Sequence, residues 1–173
     1  MRTVVLEPLP VEVAELIERR QRLGLDLHDE VWEGTYHMAP AARFRHADLD
    51  QQLAEVLGPL ARAAGLIVSG PFNLGDSDSF RVPGRGLHRG DQEPGAVYLD
   101  TAAMVVEIVS PGDETWDKLD FYAGHGVDEL LVVDPGKRKV HVLALAAGAY
   151  AEAGASALLT TGAPELEAAL RWT

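Results

Sequence analysis

The sequence predicts an α/β fold with helices flanking a mixed central β-sheet. Three observations lead there. Short runs rich in Val, Ile and Leu alternate along the chain with amphipathic helical patterns. The run Leu130–Val133 is followed by the turn Asp134-Pro135-Gly136-Lys137 and by Val140-His141-Val142-Leu143, an antiparallel hairpin that makes the sheet mixed. There is no internal repeat and no interior linker, so the reading is one domain over residues 1–173: an N-terminal helix at 11–23, a core at 30–150 and a tail at 151–173.

The elements follow in order. Val13, Leu16, Ile17 and Leu23 form an apolar stripe after Pro10, and Gly24 stops that helix. Val31 to Met38 reads as one strand with a bulge at Gly34, ended by Pro40. Leu49, Leu53, Val56, Leu57 and Leu60 recur at three- and four-residue steps, giving a long helix from Phe44 to Ala64 with Gly65 beyond its end. Leu66-Ile67-Val68 opens a β segment, Asp76-Ser77-Asp78 is turn chemistry, and Phe80-Arg81-Val82 is a short run. Pro83 to Gly95, with four glycines and two prolines, reads as a loop. Ala102 to Val109 is the most apolar strand, and Pro111 suits the first turn of a helix running to Ala123. The tail holds a strand near Leu158-Leu159 and a helix at Pro164–Leu170.

Composition bounds the function. Hydrophobic residues make up 47% and charged residues 24%, which excludes wholesale disorder. The absence of cysteine excludes disulfide scaffolds, thiolate zinc sites and thiol catalysis, and it fits the cytoplasm. No apolar run reaches the roughly 18 residues of a membrane span, so no membrane partner is expected. Fifteen basic residues against 27 acidic ones give a net charge of −12, which opposes non-specific nucleic-acid coating. A bound cation reverses that sign locally, so a phosphate site remains open.

The chemistry-bearing residues are few. Glu107 stands inside Val105-Val106-Glu107-Ile108-Val109, where a carboxylate is costly unless it is paired or metal-bound. Lys118 lies in the second turn of the next helix, which packs back over that strand, and so leans toward the strand's carboxyl end. A solvated surface lysine is the plain alternative. Glu33 precedes Gly34, and His46 opens the long helix. Arg81, Arg85 and Arg89, interleaved with glycine, suit phosphate or DNA contact. His28, His125 and His141 have no metal-ligand spacing, and there is no P-loop, dinucleotide fingerprint or nucleophile elbow.

Together these residues resemble a large bacterial restriction-endonuclease family of the PD-(D/E)xK nuclease superfamily. The resemblance rests on Val31-Trp32-Glu33-Gly34, Tyr36-His37-Met38 with Pro40, and His46. It continues in Val105–Pro111, Lys118-Leu119-Asp120-Phe121-Tyr122, and Gly126–Leu130 with Val132-Val133-Asp134-Pro135. Gly112–Trp116 is similar to actinobacterial members. The resemblance implies a restriction-endonuclease-like core and Mg2+- or Mn2+-dependent hydrolysis of phosphodiester bonds in DNA. It assigns Glu107 to the metal, Lys118 to catalysis, and Glu33 and His46 to supporting roles. The family's Pro-Asp is here Pro83-Gly84, with Arg85 adding positive charge. Asp78, Asp91 or Asp76 is then expected to replace the metal-binding aspartate, with Asp78 the chosen ligand, or else the chain is a degenerate binding or assembly module. A small-molecule phosphoesterase is a third reading. Spare apolar surface on the first helix and around Val140–Leu145 points to a homodimer.

Overall fold

A computed structural model of the chain describes residues 10–39, 43–90, 92–93, 95–110, 112 and 114–172. Pro40, Asp91 and Pro111, to which the sequence assigns roles, lie outside the described residues. The elements begin with α1 (Val11–Arg22), β1 (Glu30–Trp32), β2 (Thr35–His37), α2 (Phe44–Ala63), β3 (Ile67–Ser69) and β4 (Asn73–Gly75). They continue with β5 (Phe80–Arg81), β6 (Arg85–His88), β7 (Tyr98–Leu99), β8 (Met104–Ile108) and a 3-10 turn (Thr115–Lys118). Next come α3 (Leu119–Gly124), β9 (Glu129–Asp134), β10 (Lys139–Ala146), β11 (Ala149–Glu152), β12 (Ala155–Ser156), β13 (Thr161–Gly162) and α4 (Ala163–Ala169).

Strands β11-β10-β9-β8-β6-β3 form a six-stranded sheet and β2-β1-β5-β4-β7 a five-stranded one. The larger sheet is mixed: β8 and β9 run parallel, whereas β9 pairs antiparallel with β10, and β6 with β8. A parallel pair needs a crossover, supplied here by the 3-10 turn and α3.

Strand alternation divides the core. Met104, Val106 and Ile108 face Leu49, Leu53 and Leu57 of α2, with Leu166 of α4 in the same cluster. Val105 faces the other way, toward Tyr122, Val127, Leu130 and Val132. Glu107 shares the parity of Val105 and so points to the α3 side.

Several elements differ from the sequence expectation. Residues 31–38 form a hairpin, not one bulged strand, because Glu33 (φ 46°) and Gly34 (φ 82°) both adopt the positive φ of a two-residue I′ turn. The stretch read as a loop contains β6, buried between β3 and β8. Its glycine makes that placement possible, since a Cβ on Gly86 would collide with the rings of His88 and Phe72. The expected helix after β8 is a 3-10 turn followed by a short α3. The tail strand is not at Leu158-Leu159; β12 and β13 flank those residues instead. Val140 and Val142, counted as spare dimer surface, are fully buried against this chain's own core.

Candidate functional site

The two sheets meet at a buried cluster of charges. Glu107 projects from β8 and Lys118 ends the 3-10 turn on the same face, with Lys118 Nζ 3.1 Å from Glu107 Oε1. Glu30 arrives from β1 of the smaller sheet, its Oε1 2.7 Å from the same Nζ. One ammonium thus bridges two carboxylates, and all three side chains are about nine-tenths buried or a little less, at 13%, 10% and 8% exposure for Lys118, Glu107 and Glu30.

Each member is held from outside the trio. Tyr122 of α3 donates its hydroxyl to Glu107 Oε1 at 2.6 Å. The Trp32 indole donates to Glu30 Oε2 at 2.7 Å, and the Val82 backbone N–H donates to Glu30 Oε1 at 2.7 Å. Among the described residues no hydrogen bond reaches Glu107 Oε2.

The electrostatics follow from two negative charges sharing one positive one. Burial pushes the Glu107 carboxyl up, and although Lys118 opposes this, the Glu30 charge adds to it. Burial pulls Lys118 down, but Glu107 and Glu30 together more than reverse it and hold the ammonium charged. Burial, then the Glu107 charge, keeps Tyr122 protonated as a donor. The net deficit of one positive charge is what a cation would fill. The available donors are all oxygens, which suit magnesium or manganese.

The other expected residues are distributed differently. Glu33 tips the hairpin turn, largely exposed, and binds Arg81 at 3.0 Å; Glu30, three residues earlier, occupies the trio. Strand alternation puts Glu30 and Trp32 on one face, a signal masked by reading 31–38 as a single strand. His46 lies 3.4 Å from the Ser110 hydroxyl, beyond the carboxyl end of β8. Asp78 is exposed in the β4–β5 turn, where Asp76 accepts the Asp78 and Ser79 backbone N–H groups. Among the described residues no group of three or more His, Asp or Glu side chains is placed to hold a metal, so Asp78 does not join Glu107 in one.

The arginines need correction. Arg81 is 3% exposed, with its guanidinium over the rings of Trp32 (4.3 Å) and Phe121 (4.0 Å), and it cannot reach a phosphate. Arg85 turns to the α2 side and binds Asp50 at 2.7 Å, so it neither contacts DNA nor opposes a cation near Glu107. Arg89 alone of the three is exposed, paired with Asp128.

Arg85 pairs with Val106 across β6 and β8, and one further step sets Gly84 beside Glu107. Arg85 and Leu87 face α2, so Gly84 faces the trio. A Cβ on Gly84 would touch only the Val106 carbonyl oxygen, at 3.4 Å.

A crystal structure of a putative nuclease belonging to DUF820, from Anabaena variabilis, has a similar fold: TM-score 0.64 and 14% identity, over 83% of this chain and 91% of that one. No curated protein matches the chain. The family model Uma2, described as "Putative restriction endonuclease", matches residues 14–172. With nearly the whole sequence spanned by that model, the chain belongs to the Uma2 family of restriction-endonuclease-like proteins.

Proposed function

We propose that this chain is a metal-dependent DNA endonuclease, with Glu107 and Glu30 holding Mg2+ or Mn2+ and Lys118 as the catalytic lysine. The observation that carries this reading is the meeting of Glu30 and Glu107 on Lys118 in a buried site beside Gly84. The donors fit the ion: both are carboxylates, and Glu107 Oε2 has no hydrogen-bond partner among the described residues. When bound, such an ion polarises the phosphoryl group and acidifies water. Tyr122, Trp32 and the Val82 N–H fix the carboxylates, so little reorganisation is left for the reaction itself. The Lys118 ammonium is placed to orient a water and to offset charge growing on phosphorus. His46 borders the β8 end of the same region through Ser110 and is assigned a supporting role. Cellular magnesium and DNA make the cytoplasm the fitting compartment, and α1, with no buried residue, is the face through which two copies would associate.

The test is plasmid nicking with magnesium or manganese. The wild type is expected to nick, while Glu107→Gln and Lys118→Ala fall by about 100-fold or more, the scale of losing a preorganised electrostatic group. Nicking that survives both substitutions overturns the assignment. A second reading, a non-catalytic binding or assembly module that keeps the fold, is favoured by Gly84, which removes the family's aspartate. It predicts no nicking from any form of the chain.

A further inference from the structure

We propose that Lys118 is the resident cation of the Glu30–Glu107 pair, and that a divalent metal binds there by exchanging with its ammonium. The proposal rests on the reading above that these two carboxylates form the cation site. Lys118 Nζ stands within 3.1 Å of both carboxylates, on the Oε1 atom of each. The two strands supplying them belong to different sheets, and among the described residues the ammonium is the only positive group paired with both. Two buried like charges held together need such a counterion, since each repels the other in a poorly screened interior.

A metal drawn to the same oxygens meets an ammonium already there. Lys118 and the metal would both be positive and both close, so occupancy by one weakens the hold on the other. Lysine suits this exchange. Its charge rides on a flexible four-carbon stem, and Lys118 keeps some exposure, so the head can swing out without moving the backbone. The carboxylates stay in place meanwhile, because Glu30 is held by Trp32 and Val82 and Glu107 by Tyr122, none of which depends on Lys118. The site is thus closed by its own lysine when metal is scarce.

The experiment is calorimetric titration of the full chain with manganese chloride, in the wild type, Lys118→Met and Glu30→Gln, together with acetylation of lysines read by peptide mass spectrometry. Lys118→Met is expected to bind manganese at least about tenfold more tightly than the wild type, because a competing unit charge at contact distance is removed. Glu30→Gln is expected to bind severalfold more weakly. In the wild type, acetylation of Lys118 is expected to rise severalfold at manganese saturation as the ammonium is released. Equal or weaker binding by Lys118→Met overturns the proposal, and so does Lys118 labelling unchanged by metal, or a failure of both wild type and Lys118→Met to bind manganese. If Lys118→Met does not fold, labelling of the wild type decides alone. These readouts do not involve DNA cutting, so tighter binding without nicking supports the exchange and overturns only the nuclease reading.

Discussion

Gly84 lies beside Glu107 on the same face, with room for a side chain. The nearby Arg85 is drawn off by Asp50, so the only local charge missing is the carboxylate itself. Gly84→Asp is therefore expected to tighten manganese binding by about tenfold or more, as a third oxygen ligand brings the set nearer to what a hard cation requires. Calorimetric titration of both forms checks this, and equal affinity would mean that Glu30 already fills the place. At this scale the sequence was partly legible. Glu107 and Lys118 stood out because a carboxylate in an apolar strand, with a lysine one helical turn into the next element, demands an explanation. Glu30 did not stand out. It begins a strand next to the acidic pair Asp29 and Asp26, where nothing local separates a buried carboxylate from a surface one. Its burial comes from β5, fifty residues away, docking on β1.

β6 is a central strand made of residues that read as a loop. Its place depends on Gly86, whose missing side chain is replaced by the rings of Phe72 and His88. Gly86→Ala is expected to destabilise the chain by about 1–3 kcal/mol through overpacking, measured by urea unfolding. A surface loop glycine at that position would cost less than about 0.5 kcal/mol. The Asp134–Lys137 turn that joins β9 to β10 gives a pH prediction. Burial raises the Asp134 carboxyl, but the Lys137 ammonium and backbone N–H outweigh it and hold the group below its ordinary value. A group depressed in the fold contributes stability above its unfolded pKa of about 3.9, and that contribution is lost as pH falls through the folded value. Wild type is therefore expected to exceed Asp134→Asn in stability at neutral pH, with the gap closing below about pH 4 in thermal melts across pH. The long helices and β8–β10 were readable because their apolar spacing is local. Strands β4, β7 and β11 were not, because each is only two to four residues long and is defined by the partner it meets.

For the molecule as a whole, α1 is the element that does least for the fold. It buries no residue, and Val11, Leu16 and Leu23, with Leu25 and Leu27 beyond its end, remain exposed. Arg20 anchors it through Asp29, which also accepts from Tyr36 and the Ala39 N–H. Light scattering across concentrations is expected to show a dimer, and Leu16→Glu to shift it toward monomer; a wild-type monomer throughout would exclude association by this face. The chain crosses from the smaller sheet to the larger between Arg81 and Arg85, and the Val82 N–H that binds Glu30 lies in this crossing. Glu30 and Glu107 are 77 positions apart in sequence and belong to separate sheets, so neither sheet can make the centre by itself. As the chain emerges from the ribosome, Glu30 waits through the synthesis of β8 and of Lys118 before its partners exist. Cutting competence therefore arrives with sheet docking, late in maturation, and unfinished or misassembled copies carry no blade.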